Sequence, residues 1–84
     1  SSLLDIIEKY RMVNVKRERL QYLYDNPGTV ASIVFFRDDE KKTGGAYVTV
    51  TGAVRKVSAV ERRLITEDNE IIPIDDIYSV DIEQ

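Results

Sequence analysis

Eighty-four residues are enough for one hydrophobic core but not two, and 43% hydrophobic with 32% charged residues is the balance of a folding chain, not a disordered one. The chain has no Cys and no His, which excludes disulfides, thiolate chemistry and the commonest metal ligand. A net charge of -3 is unevenly spread: all 12 Lys and Arg lie within residues 1–66, whereas residues 67–84 hold 7 of the 15 acids and no base.

No apolar run approaches the roughly 20 residues of a membrane span, and the N-terminus does not read as a signal peptide. Together with the missing cysteines, this leads us to expect one soluble cytoplasmic domain over 1–84, with no membrane contact. Residues 1–26 are expected to be helical, and residues 29–83 to form a small β-barrel.

Leu3, Ile7, Tyr10 and Asn14 recur at helical spacing, with Leu4 and Ile6 widening the apolar stripe. Asp5 and Glu8 lie early and Lys9 and Arg11 later, as the helix dipole favours. Met12-Val13-Asn14 offers a break, so the segment reads as one helix or as two short ones with Asn14 as a cap. Leu20, Leu23 and Tyr24 share the second face, with Lys16, Arg17 and Arg19 expected outward. Asp25-Asn26-Pro27-Gly28 ends the helix, Pro-Gly being the central pair of a type II turn.

Strand periodicity follows. Thr29–Phe36 is a β-branched and aromatic run, and residues 37–45 read as a charged hairpin loop. Tyr47–Val57 is a long strand whose apolar parity swaps between Val54 and Val57, which implies a bulge or bend assigned to neighbouring Gly52. Short strands follow at Arg62–Thr66, at Ile71–Ile74 with an edge proline, and at Tyr78–Ile82, the last preceded by a tight turn at residues 75–77.

The fold class is therefore α+β, mainly β: an N-terminal helix, or two, then a five-stranded antiparallel SH3-like or Sm-like barrel whose interior is filled by side chains. The expected core is Ile33, Phe35, Val48, Val50, Val54, Val57, Leu64, Ile72, Ile77, Val80 and Ile82. Leu3, Ile7, Leu20 and Leu23 are expected to cover an open end or face of that barrel. Exposed first and last strands would favour dimerisation through their edges.

Candidate chemistry is sparse. Asp75-Asp76 offers two carboxylates, but neighbours on a tight turn point apart and suit capping. Asp38-Asp39-Glu40 lacks the ligand spacing of a calcium loop, and Gly44-Gly45 is no phosphate cradle. Serines and threonines have no activating base, which argues against an enzyme and against any cofactor or metal. The candidate interaction surface is cationic: Lys16, Arg17 and Arg19 on the helix, and Arg55, Lys56, Arg62 and Arg63 across the turn after the long strand. These would suit phosphates or an acidic protein surface, with Tyr22, Tyr24, Tyr47 and Tyr78 as stacking platforms. The structural alternative, which carries more weight, is a solvated face paired with the acidic C-terminal segment, and half-buried packing tyrosines.

Thr51-Gly52-Ala53-Val54-Arg55-Lys56-Val57, then Arg63-Leu64-Ile65, then the run from Ile71 to Val80 (IIPIDDIYSV) resemble the YolD-like proteins of Gram-positive bacteria, their phages and plasmids. Ile74 stands where that family more often has Phe, and its frequent N-terminal tryptophan is missing. The resemblance covers about residues 29–82. It implies a non-catalytic accessory protein linked to DNA-damage tolerance through a protein partner, a Y-family DNA polymerase being the implied candidate. It supplies no catalytic residues. Two other functions fit the residues: an Sm-like binder of single-stranded nucleic acid using Arg55, Lys56, Arg62 and Arg63, and a self-assembling phage or plasmid component.

Overall fold

The computed structural model describes residues 2–41 and 43–83. A single unbroken helix, α1 (Leu3–Asp25), opens the chain, so the break considered at residues 12–14 does not occur. Ser2 caps it reciprocally: its hydroxyl accepts from the Asp5 backbone N–H at 3.3 Å, and the Asp5 carboxylate accepts from the Ser2 N–H at 3.2 Å. At the other end the Asn26 N–H donates to the Tyr22 carbonyl, and Pro27-Gly28 forms the expected turn, with Gly28 at φ +94° and the Thr29 N–H returning to the Asn26 carbonyl.

Five antiparallel strands follow: β1 (Val30–Asp38), β2 (Gly45–Ser58), β3 (Arg63–Thr66), β4 (Ile71–Pro73) and β5 (Ile77–Ile82), with a 3-10 turn at Ile74–Asp76. Their spatial order is β4-β3-β2-β1-β5. The mainly-β α+β architecture is as expected. The edges are β4 and β5, and among the described residues no β4–β5 pairing joins them. Pro73 ends the short edge strand β4, where a missing N–H costs least.

The 14-residue β2 serves both halves of the sheet, pairing with β1 over residues 45–53 and with β3 from Val54 onward. Its register shifts between Val54 and Lys56, so Arg55 is the extra residue and Gly52 lies in regular pairing with Ala31. The bend is therefore three residues later than the glycine to which it was assigned, because a bulge needs an unpaired residue and not a missing side chain. Glycine is required instead at Gly45, where an added Cβ would collide with the Arg37 carbonyl and the Phe36 ring.

One core lies inside this bent sheet. Ile33, Phe35, Val54, Val57, Leu64, Ile72, Ile77 and Val80 are buried as expected, together with Leu23, Ala31 and Ile65. Val48, Val50 and Ile82 are only partly buried at its rim. The helix contributes Leu23 and, partly, Leu20; Leu3 and Ile7 are exposed and cover nothing among the described residues. A helix of this length outruns the small sheet it rests on, so its first turns extend past the body. Among the described residues no helix is long and apolar enough to cross a membrane.

This division of α1 is directly measurable. Leu23→Ala should lower unfolding stability by about 2–5 kcal/mol, the usual cost of emptying a packed leucine site. Leu3→Ala should change it by less than about 0.5 kcal/mol, as surface substitutions do. Urea denaturation of the two variants reads both values.

Candidate interaction surface

The helix lies along the edge strand β5, and two of the candidate cations make that contact. Lys16 Nζ donates to the Ile77 carbonyl at 3.0 Å, and Arg19 Nη1 donates to the Val80 carbonyl at 2.7 Å and to Asp81 Oδ1 at 2.9 Å. Both side chains therefore face the sheet instead of pointing outward as expected; only Arg17 of the three is exposed without a hydrogen bond or ion pair among the described residues. The physical reason is the edge itself. Unpaired strand carbonyls need donors, and a long cationic side chain reaches them while its stem covers apolar surface.

The second cationic cluster is also dispersed. Lys56 pairs in register with Ile65, and Ser58 with Arg63, so the four charges do not converge on one point. Arg55 donates to Asn69 Oδ1 at 3.0 Å and Arg63 to Glu61 Oε2 at 2.8 Å. Arg62 turns its planar fork onto Asp75, Nε to Oδ2 at 3.2 Å and Nη2 to Oδ1 at 2.5 Å. Only Lys56 of this group has no hydrogen bond or ion pair among the described residues. Arg62 has φ +52°, a left-handed conformation unusual for a side chain with a Cβ, and its carbonyl accepts the Ile74 N–H at 3.0 Å. Thus the turn after β2 and the 3-10 turn before β5 are held together by one residue's backbone and side chain.

These pairings also fold the charge asymmetry of the sequence back on itself. Of the acids after residue 66, Asp75 pairs with Arg62, Asp81 with Arg19 and Glu70 with Arg37. Of the candidate cations, Arg19 and Arg62 pair with acids of the C-terminal segment, while the other five do not among the described residues. Asp75 and Asp76 do not act together; Asp75 is committed to Arg62, and Asp76 is exposed.

Lys16, Arg17 and Arg62 do meet at one open groove of about 490 Å³ between α1 and the turn after β2, where Leu20, Val57 and Ile74 form the apolar wall. Lys16 enters it bonded to a neutral carbonyl and Arg62 paired with Asp75, so the groove keeps a positive balance carried by Lys16 and Arg17.

The feature that sequence reading did not assemble is aromatic. Phe36 of β1 sits opposite Tyr47 of β2, their rings 5.4 Å apart edge to face, and Tyr47 meets Tyr78 of β5 at 5.7 Å in the same manner. Tyr78 is the extra residue where the β1–β5 register shifts between Val34 and Phe35, which frees its ring to lean across the outer face. Tyr47 and Tyr78 are exposed, as are Tyr22 and Tyr24 on the helix, so none of the four tyrosines is the half-buried packing residue expected. The sequence signal was present in the parity of Phe36 and Tyr47, but the pairing became visible only with the register.

The Arg62 fork holds the Asp75 carboxyl below the ordinary aspartate range, chiefly by hydrogen bonding. A depressed carboxyl contributes stability that is present above its unfolded value and lost as the pH falls through its folded one. In a carboxyl-carbon NMR titration Asp75 should therefore titrate below the ordinary aspartate range, and Arg62→Gln should move it back up. Among known proteins, no family model, no curated protein and no solved structure matches this chain.

Proposed function

We propose that the chain is a non-catalytic binding and accessory protein of YolD-like type that acts in the cytoplasm through a protein partner. The observation that carries this reading is the aromatic face of exposed Tyr47 and Tyr78, backed by half-buried Phe36, on a three-strand platform. Large aromatics at the surface are the residues that anchor protein interfaces, because they bury much area at little rotamer cost. A helical flank with Lys16 and Arg19 already fixed on backbone carbonyls adds a preorganised border to that face.

Single-stranded nucleic acid is the weaker reading. Its proposed contacts were Arg55, Lys56, Arg62 and Arg63, of which the three arginines are engaged with Asn69, Asp75 and Glu61. Phosphate binding there would have to displace an existing partner at each arginine. The role in DNA-damage tolerance implied by the sequence resemblance, with a Y-family polymerase as partner, belongs to the same proposal.

Tagged protein incubated with a nuclease-treated Gram-positive lysate should retain a specific protein, and Tyr47→Ala with Tyr78→Ala should release it while leaving the fold intact. Recovery of nucleic acid alone from an untreated lysate, with salt-sensitive binding lost on substituting the four cations, would replace this reading with the nucleic-acid one.

A further inference from the structure

The first three turns of α1 carry an apolar surface with nothing against it. Leu3 is 71% exposed, Leu4 76%, Ile6 60%, Ile7 53% and Tyr10 71%. At about 100° per residue, Leu3, Ile6, Ile7, Tyr10 and Val13 form one stripe. Of the residues that hold the helix to the sheet, Lys16 and Leu23 project roughly 120–140° round the helix from Tyr10 at the centre of the stripe, while Leu20 lies close to Val13 at its border. The apolar face of the helix thus rotates along its length. The stripe cannot turn toward its own sheet without withdrawing Leu23 from the core.

From this we infer that the stripe is an interface between two copies of the chain, paired antiparallel through residues 3–13 of α1. Three features select a second copy as the occupant. The spacing 3-6-10-13 is the alternating three–four repeat by which one helix seats its side chains between those of an identical neighbour. No charged side chain falls within the stripe over residues 3–13; Asp5 and Glu8 project from the far side of the helix and Lys9 and Arg11 flank it, and a charge-depleted centre with a charged rim is the mark of an interface. The five exposed side chains offer on the order of 500 Å² per copy, so a symmetric pair would bury about 1,000 Å², the lower bound for specific association.

Direction follows from charge. In a parallel pair Arg17, seven residues after Tyr10, meets its own copy along the extension of the stripe. An antiparallel pair separates the two arginines. The two bodies then lie at opposite ends of the helix pair and do not collide. This surface borders the aromatic face only at its end, where Val13 and Tyr78 line one groove, and substitutions at Ile6 and Tyr10 leave Tyr47 and Tyr78 in place, so either proposal can fail alone.

Sedimentation velocity over a range from about 1 µM to about 1 mM should show monomer passing to dimer, as an interface of this size predicts. Ile6→Lys with Tyr10→Lys should weaken association at least tenfold, with the melting temperature of the monomer unchanged because both side chains are exposed. Because the chain has no cysteine, Leu3→Cys and Val13→Cys proteins mixed under oxidation should cross-link to each other and not to themselves. A monomer throughout the range overturns the inference, as does a dimer that survives the double substitution. A monomer that instead co-floats with anionic phospholipid vesicles overturns it in favour of a lipid surface. Self-cross-linking of the Leu3→Cys protein overturns the antiparallel arrangement.

Discussion

The extra residue at Arg55 is the constraint on which the fold depends. Without it, β2 would present alternate residues to one face along its whole length, and Val54 and Val57 would point to opposite sides. With it, both are buried, and the strand pairs with β1 over one half and with β3 over the other. One strand thus belongs to two pairings that close on a single core, in which Ile33 and Val80 of one half meet Leu64 and Ile72 of the other. The same device recurs at β5: Ile77 and Val80 are both buried three residues apart, and the extra residue is Tyr78. In each case the surplus side chain is sent outward, Arg55 to Asn69 and Tyr78 to Tyr47.

The helix completes the fold from the edge. Strand β1 is interior, flanked by β2 and β5, so the expected pair of exposed edges at the first and last strands is half removed by topology. Lys16 and Arg19 then occupy carbonyls of β5, and β4 is only three residues long and ends in proline. Both are ways by which sheets resist pairing with a neighbour. The edge-to-edge route to oligomers is thereby weakened, and an unpartnered apolar surface lies instead on the first turns of α1.

Much of the fold was legible because burial writes a period into the sequence. The swap of parity between Val54 and Val57 located the bulge to within a few residues, and Pro27-Gly28 marked the turn that Gly28 completes at positive φ. What was not legible is what periodicity does not encode. The side of α1 that meets the sheet could not be read from the apolar residues, since Leu3 and Ile7 obey the helical repeat as well as Leu23 does. Lys16 and Arg19 looked like solvent residues because charge predicts exposure, yet an edge strand supplies acceptors that no local pattern reveals. The aromatic face joined three strands separated by up to 42 positions in sequence, from Phe36 through Tyr47 to Tyr78.

Charge gives the last step. A chain whose cations and acids are segregated along the sequence reads as bipolar, and bipolarity invites a polyanion at one end. Folding places β5 beside α1, and the 3-10 turn beside the turn after β2, which brings Asp81 to Arg19 and Asp75 to Arg62. These pairs are exposed and contribute little to stability singly, since exposed ion pairs are weak. Their effect on recognition is larger: each arginine with a geometrically matched carboxylate is withdrawn from the field that would steer a phosphate backbone. Arg17 and Lys56, the candidate cations with no hydrogen bond or ion pair among the described residues, lie on different elements. The exposed surface left beside these pairs is in large part apolar and aromatic, at Tyr47, Tyr78 and the first turns of α1.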